Sequence, residues 1–144
     1  MNIFVTVGTT KFNDLIERIE IIQDQNNWLL QIADGEFIPT TKKYIHFSNE
    51  IFNLYNKADL IITHAGAGSI YRLLELNKNI IVCPNISRTD KHQKEIALFL
   101  EKNLFAQVCW NLDDLETLVN KKFKKNIYEK VNFFLMDEIL DYLI

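Results

Sequence analysis

Ala58 to Thr63 (Ala-Asp-Leu-Ile-Ile-Thr) is an apolar run of strand length. It passes directly into His64-Ala65-Gly66-Ala67-Gly68-Ser69 and then into Ile70, Leu73, Leu74 and Leu76 at helical spacing. A strand apolar at consecutive rather than alternate positions has both faces covered, which is the condition of a parallel sheet between layers of helix. The rest of the chain repeats this alternation. Ile3–Val7 ends at Gly8 and is followed by Phe12, Leu15, Ile16, Ile19 and Ile22 at helical spacing. Trp28–Ile32 precedes a loop marked by Asp34-Gly35 and Pro39. Lys43–Phe47 is a third run, after which Ser48 is placed to cap a helix bearing Ile51, Phe52 and Tyr55, with Glu50 in its first turn. Ile80–Cys83 stops at Pro84, Lys91–Lys102 reads as helix, and Phe105–Trp110 reads as strand. Asp113 and Asp114 open a helix through Leu115, Leu118 and Val119, and a last helix is expected over about 125–144. The pattern predicts a Rossmann-like, doubly wound parallel sheet forming one α/β domain over residues 1–144.

Composition removes several classes of function. With 48% apolar residues, 24% charged residues and only six Gly and Pro together, the chain is neither disordered, collagen-like nor a disulfide scaffold. A net charge of −3 offers no basic field for nucleic acid, so no nucleic-acid partner is expected. Cys83 and Cys109 sit inside apolar runs and read as small buried hydrophobes in a reducing compartment. No Cys-x-x-Cys and no His pair at ligand spacing points to zinc. Ile3–Val7 follows the N-terminus too closely for a secretion signal, and no apolar stretch approaches the roughly 20 residues of a membrane span. A cytoplasmic protein is the expectation.

In a doubly wound sheet, ligands bind beyond the carboxyl ends of the strands. Three loops hold that position. Gly8-Thr9-Thr10 follows the first strand, where glycine permits a tight turn and two hydroxyls and bare amides face the helix start; an ordinary turn explains the same residues. His64 to Ser69 brings two glycines and the N-terminus of a helix to one place, so its natural ligand is a phosphate or diphosphate. It is not the dinucleotide fingerprint, because Tyr71 stands where the third glycine belongs, and no Gly-Lys-Ser/Thr makes it a P-loop. The plainer alternative is a tight turn with His64 as a helix cap. Arg88-Thr89-Asp90-Lys91-His92-Gln93 gathers side chains able to hydrogen-bond a sugar or ribose, and a solvated helix start capped by Asp90 accounts for it equally.

The motifs Val5-Thr6-Val7-Gly8-Thr9-Thr10, Phe12-Asn13-Asp14-Leu15-Ile16, Gln31-Ile32, Ala58-Asp59-Leu60, His64-Ala65-Gly66-Ala67-Gly68-Ser69 and His92-Gln93, in this order, resemble the family 28 glycosyltransferase C-terminal domain. More closely, the chain resembles the soluble subunits of split, two-chain glycosyltransferases. These act on dolichol-linked sugar or, in bacteria, on exopolysaccharide and capsule repeat units. The resemblance implies the C-terminal, donor-binding half of a GT-B enzyme. It implies an inverting transfer from a UDP-sugar to a lipid-linked saccharide, at the cytoplasmic face of a membrane. A separate membrane-bound subunit would supply the acceptor half. Gly8, Thr9, Thr10 and the loop of His64, Gly66, Ala67, Gly68 and Ser69 would face the diphosphate. Phe47 and Ser48 would lie near the uracil, and Asp90, His92 and Gln93 near the sugar and ribose. No metal or cofactor is implied, and the sequence has no Asp-x-Asp. The catalytic base is unassigned: His64 and His92 are candidates in this chain, and the partner half is the other source.

Two positions depart from the family pattern. Arg72 stands where relatives carry a glutamate that holds the ribose hydroxyls, and a guanidinium only donates. Either Glu75 substitutes, or Arg72 meets phosphate or an acidic donor, or donor binding is degraded. Ala33 follows Gln31-Ile32 where glycine is usual. A non-catalytic nucleotide-sugar-binding or scaffolding module is therefore the alternative reading. The apolar stripe of Ile127, Val131, Phe134, Leu135 and Ile139, widened by Tyr128, Phe133, Leu140, Tyr142, Leu143 and Ile144, is expected to dock on the partner and to promote self-association without it.

Overall fold

The computed structural model describes residues 1–86 and 92–129. Its strands are β1 (Asn2–Thr6), β2 (Asn27–Gln31), β3 (Lys43–Ile45), β4 (Leu60–Thr63), β5 (Ile80–Val82) and β6 (Gln107–Val108). Its helices are α1 (Asn13–Glu20), α2 (Ile51–Lys57), α3 (Ala67–Glu75), α4 (His92–Lys102) and α5 (Leu115–Asn120). The strands form one parallel sheet in the order β3-β2-β1-β4-β5-β6, with Val5 opposite Leu30 on one side and Ile62 on the other.

Consecutive strand residues feed two separate cores, which explains the unbroken apolar runs. Ile3, Val5, Leu60, Ile62, Ile81 and Cys83 pack with Leu15, Ile16 and Ile19 of α1 and Leu115 and Val119 of α5. Phe4, Ile61, Ile80 and Val82 pack with Tyr55 of α2, Ile70, Leu73 and Leu74 of α3, and Ile96, Ala97 and Leu100 of α4. Burying each such Leu, Ile or Val contributes about 1.5–3 kcal/mol. Cys83 and Cys109 are free thiols in the first core. The hydrogen bond that the Cys83 thiol donates to Cys109, together with burial, pushes Cys83 well above its ordinary pKa. No helix among the described residues is long and apolar enough to cross a membrane.

Several boundaries differ from expectation. β3 ends at Ile45 rather than Phe47, because its partner strand ends at Gln31 and Ala33 turns into the left-handed region at φ 53°. At the other edge, Phe105 and Ala106 leave the expected strand to pack in the second core, and β6 shrinks to two residues. Ser48 does not cap α2. Glu50 occupies the cap position, and the Ser48 hydroxyl accepts from the Glu50 N–H at 2.9 Å, closing the turn ahead of the helix. Asp113 and Asp114 lie in a 3-10 turn, Leu112–Asp114, before α5.

The helix expected from about Lys125 is not formed over residues 125–129. Residues 122–129 have no regular secondary structure. The Asn126 N–H donates to the Leu104 carbonyl at 2.8 Å, its side chain donates to the Asn103 carbonyl at 3.0 Å, and Tyr128 meets Phe105 edge-on at 5.7 Å. These bonds to a neighbouring segment replace the local ladder a helix requires. Since α5 belongs to the first core and Tyr128 to the second, this stretch carries the chain from one face of the sheet to the other. The remainder of the expected helix, residues 130–144, and the segment 87–91 with Arg88 and Asp90 lie outside the described residues.

Candidate functional site: a crevice between the β1 and β4 loops

β1 and β4 are neighbours, but α1 lies on one face of the sheet and α3 on the other. The loops that follow the two strands therefore part at their carboxyl ends. That parting opens the crevice at which doubly wound sheets bind ligands.

One imidazole ring bridges the two loops. Gly8 sits at φ +69°, and a Cβ added there would lie 2.8 Å from His64 Cε1. A Cβ on Gly66 would lie 2.2 Å from His64 Nε2. The His64 ring thus fills the space that a side chain at either glycine would take, and its Nδ1 is 3.4 Å from the Thr63 hydroxyl. Gly66 caps α3 with extended backbone and has no side chain to accept from the first amides of the helix. A Cβ on Gly68 would meet nothing within 4 Å, so the N-terminal turn of α3 is open there. Unsatisfied amides and the positive end of the helix dipole make this turn a site for an anion.

The Gly8 turn is held from behind. Gln31, buried at the end of β2, accepts through Oε1 from the Thr6 hydroxyl (2.6 Å) and the Val7 N–H (3.2 Å). Its Nε2 donates to the carbonyls of Gly8 (2.9 Å) and His46 (2.7 Å). The Gly8 N–H donates to the Thr6 hydroxyl at 3.3 Å. Both backbone polar groups of Gly8 are thereby engaged inside the protein, while Thr9 and Thr10 beyond it are exposed.

The other expected site residues fall into three places. Phe47 is 59% exposed and follows His46 directly, with Ser48 next to it at the entry to α2. Ser69 and Arg72 face α2. The Ser69 side chain is hydrogen-bonded to Tyr55, whose phenol is pushed up mainly by burial, and the Arg72 guanidinium stacks 4.9 Å from the centre of the Phe52 ring. Glu75 accepts from the Tyr71 hydroxyl, whose pKa that hydrogen bond raises. At the start of α4, Gln93 is buried and accepts through Oε1 from the Asn85 N–H at 2.8 Å, while His92 Nδ1 lies 3.5 Å from Glu95.

Beside the crevice, a cleft of about 480 Å³ runs between Phe12 and Asp14 on one side and Asn85, Ile86 and Trp110 on the other. A groove of about 700 Å³ opens at the opposite edge, by the amino ends of β1 and β2, where Asp24 accepts from Trp28 Nε1 and Lys42 donates to the Ile22 carbonyl. Position in the fold, not size, makes the crevice the candidate site. Gln31 and Thr6 stand inside the family-like motifs, but the sequence assigned them no place in the site. The signal was a carboxamide within the apolar run Trp28–Ile32, since a polar group buried there must find partners.

The strand order, the crevice and the open helix N-terminus define a Rossmann-like α/β domain. The glycosyltransferase family 28 C-terminal domain matches residues 2–132, and the chain belongs to that family. It is 36% identical over 125 residues to the UDP-N-acetylglucosamine transferase subunit ALG13 of Homo sapiens, covering 74% of this chain and 11% of that protein. It is 32% identical over 111 residues to the UDP-N-acetylglucosamine--N-acetylmuramyl-(pentapeptide) pyrophosphoryl-undecaprenol N-acetylglucosamine transferase of Prochlorococcus marinus, covering 73% of this chain and 30% of that protein. The chain spans well under half the length of these relatives. Among solved structures, MurG of Acinetobacter baumannii superposes with a TM-score of 0.68 at 17% identity, over 99% of this chain and 46% of MurG. The solution structure of ALG13 gives 0.60 at 20% identity, over 97% and 95% of the two chains. The fold is that of the C-terminal half of a GT-B glycosyltransferase.

Proposed function

We propose that the chain is the donor-binding, catalytic subunit of a heteromeric inverting glycosyltransferase that transfers a sugar from a UDP-sugar to a lipid-linked saccharide. The observation that carries this reading is the uncapped, open N-terminus of α3 facing the clamped Gly8 turn across the crevice. The similarity to UDP-N-acetylglucosamine transferase subunits supports a UDP-sugar as the donor. The amides of Ala67 and Gly68, with Thr9 and Thr10, would hold the diphosphate, and His64 would sit beside it. Phe47 and Ser48 would receive the uracil; His92, Gln93 and Asp90 would meet the sugar and ribose. The acceptor hydroxyl attacks the anomeric carbon, the bond from that carbon to the phosphate oxygen breaks, and UDP departs with the electron pair. The helix end stabilises the charge that develops there. The proton passes to a base that is His64, His92 or a group of the partner. A membrane-bound subunit supplies the acceptor half and keeps the chain at the cytoplasmic face; no metal or cofactor takes part.

The test is titration of the chain with UDP and UDP-N-acetylglucosamine, alone and with the membrane-bound partner. Saturable binding, and transfer only when the partner is present, supports the reading; no binding in either state removes it. Arg72 favours the second reading, a non-catalytic module. Arg72→Glu places a carboxylate beside an anion site and removes the stack on Phe52. It is expected to weaken UDP binding about tenfold, equivalent to about 1.4 kcal/mol, and to cost about 0.5–1 kcal/mol of stability. Tighter binding in this variant would instead mark the native site as degraded and favour the module.

A further inference from the structure

Gln31 is 3% exposed, yet it carries four hydrogen-bonding sites into the sheet and has all four satisfied. An apolar residue would serve the sheet there without that requirement. What the carboxamide secures is the conformation of two loops. One NH₂ group holds the Gly8 carbonyl on one side and the His46 carbonyl on the other, and the oxygen fixes Thr6 and Val7. Thr6 in turn holds the Gly8 N–H. A carboxylate of the same length would supply acceptors only, and would face two carbonyls with nothing to donate.

We propose that Gln31, working with Thr6, is a positioning residue for the donor. It fixes the Gly8 turn against His64 and fixes His46, and with it the start of the Phe47-Ser48 segment. The parts of the site that meet the phosphates and the base then stand at a set separation. Gln31 touches no reacting atom; it acts through the backbone of Gly8 and His46. The proposal rests on the donor-site reading given above.

The experiment measures UDP affinity by calorimetry, well below the melting temperature, for the full chain carrying Gln31→Met, Gln31→Glu or Val119→Ala. Val119 is buried in the first core on α5, so its truncation lowers stability without reaching the crevice loops. Gln31→Met is expected to weaken UDP binding about tenfold to hundredfold, the scale on which a displaced positioning group acts. Gln31→Glu should lose affinity too, despite keeping the acceptors for Thr6 and Val7, and Val119→Ala should bind like the wild type. If Gln31→Met does not fold, Thr6→Val carries the test, with weaker UDP binding and faster amide exchange at Gly8 as the expected pair of results. Wild-type affinity in the Gln31 variants, or in a folded Thr6→Val, overturns the proposal while leaving the donor site standing. So does an equal loss in Val119→Ala. Failure of the wild type itself to bind UDP overturns the donor-site reading, and the proposal with it.

Discussion

A chain carrying Gly68→Val is expected to melt like the wild type and to lose UDP binding about a hundredfold, a difference of about 3 kcal/mol. The structural half of this expectation follows from open space, since a Cβ at Gly68 meets nothing within 4 Å. Gly68 is the second residue of α3, and valine is a better helix residue than glycine, so stability should change by no more than about 0.5 kcal/mol. The functional half follows from the same space. An anion on a helix N-terminus needs its oxygens within about 3 Å of the amides. The two methyl groups of valine would stand in that approach and exclude the charge-assisted bonds to the first turn, each worth about 1.5–3 kcal/mol. Gly68→Ala should fall between valine and the wild type. Calorimetric titration with UDP, beside a thermal melt, decides the matter. Unchanged affinity would place the diphosphate elsewhere, and a lowered melt would show that Gly68 serves the fold.

The cores were readable because strands covered on both faces leave an unmistakable pattern. Phe4 and Val5, or Ile61 and Ile62, enter different cores from adjacent positions, and only a sandwiched parallel sheet asks for that. The crevice loops were readable for a related reason, since Gly8 and Gly66 stand at the ends of such runs. Local capping was less so. Ser48 has the right side chain for a helix cap, but its hydroxyl closes a turn two residues early, a choice set by how the chain leaves the β3 edge. Arg72 showed as a departure from the family pattern, whereas its stack on Phe52 depends on α2 and α3 lying side by side, which sequence spacing does not contain. The start expected for the last helix misled for the same reason. Tyr128 has a place in a helical stripe, but Phe105 and the carbonyls of Asn103 and Leu104 offer it and Asn126 better partners than a helix would.

The two remaining crevice glycines should behave unlike Gly68 and unlike each other, because both meet the His64 ring but only one has a left-handed backbone. A Cβ at Gly66 would overlap the imidazole at 2.2 Å from Nε2, so Gly66→Ala forces the ring out of its place. Overpacking of this kind costs about 1–3 kcal/mol. Gly66 itself has φ −81°, which alanine adopts freely, so the whole penalty belongs to the ring. Removing the ring should therefore remove the penalty, and in a His64→Ala background Gly66→Ala should cost less than about 0.5 kcal/mol. Gly8→Ala meets the same ring at 2.8 Å from Cε1 and must also hold φ +69°, which adds about 1–2 kcal/mol for a residue with a Cβ. That part does not depend on His64. In the His64→Ala background Gly8→Ala should keep a penalty of about 1 kcal/mol or more. Urea melts of the three single variants and the two doubles measure both coupling energies. Equal costs for Gly66→Ala with and without the ring would show that the imidazole does not link the loops. A Gly8→Ala penalty that vanished with the ring would show that the turn relaxes. With the predicted pattern, His64 is the contact through which a turn clamped by Gln31 and Thr6 sets the distance to the N-terminus of α3, and Gly66→Ala should weaken UDP binding even where the protein remains folded.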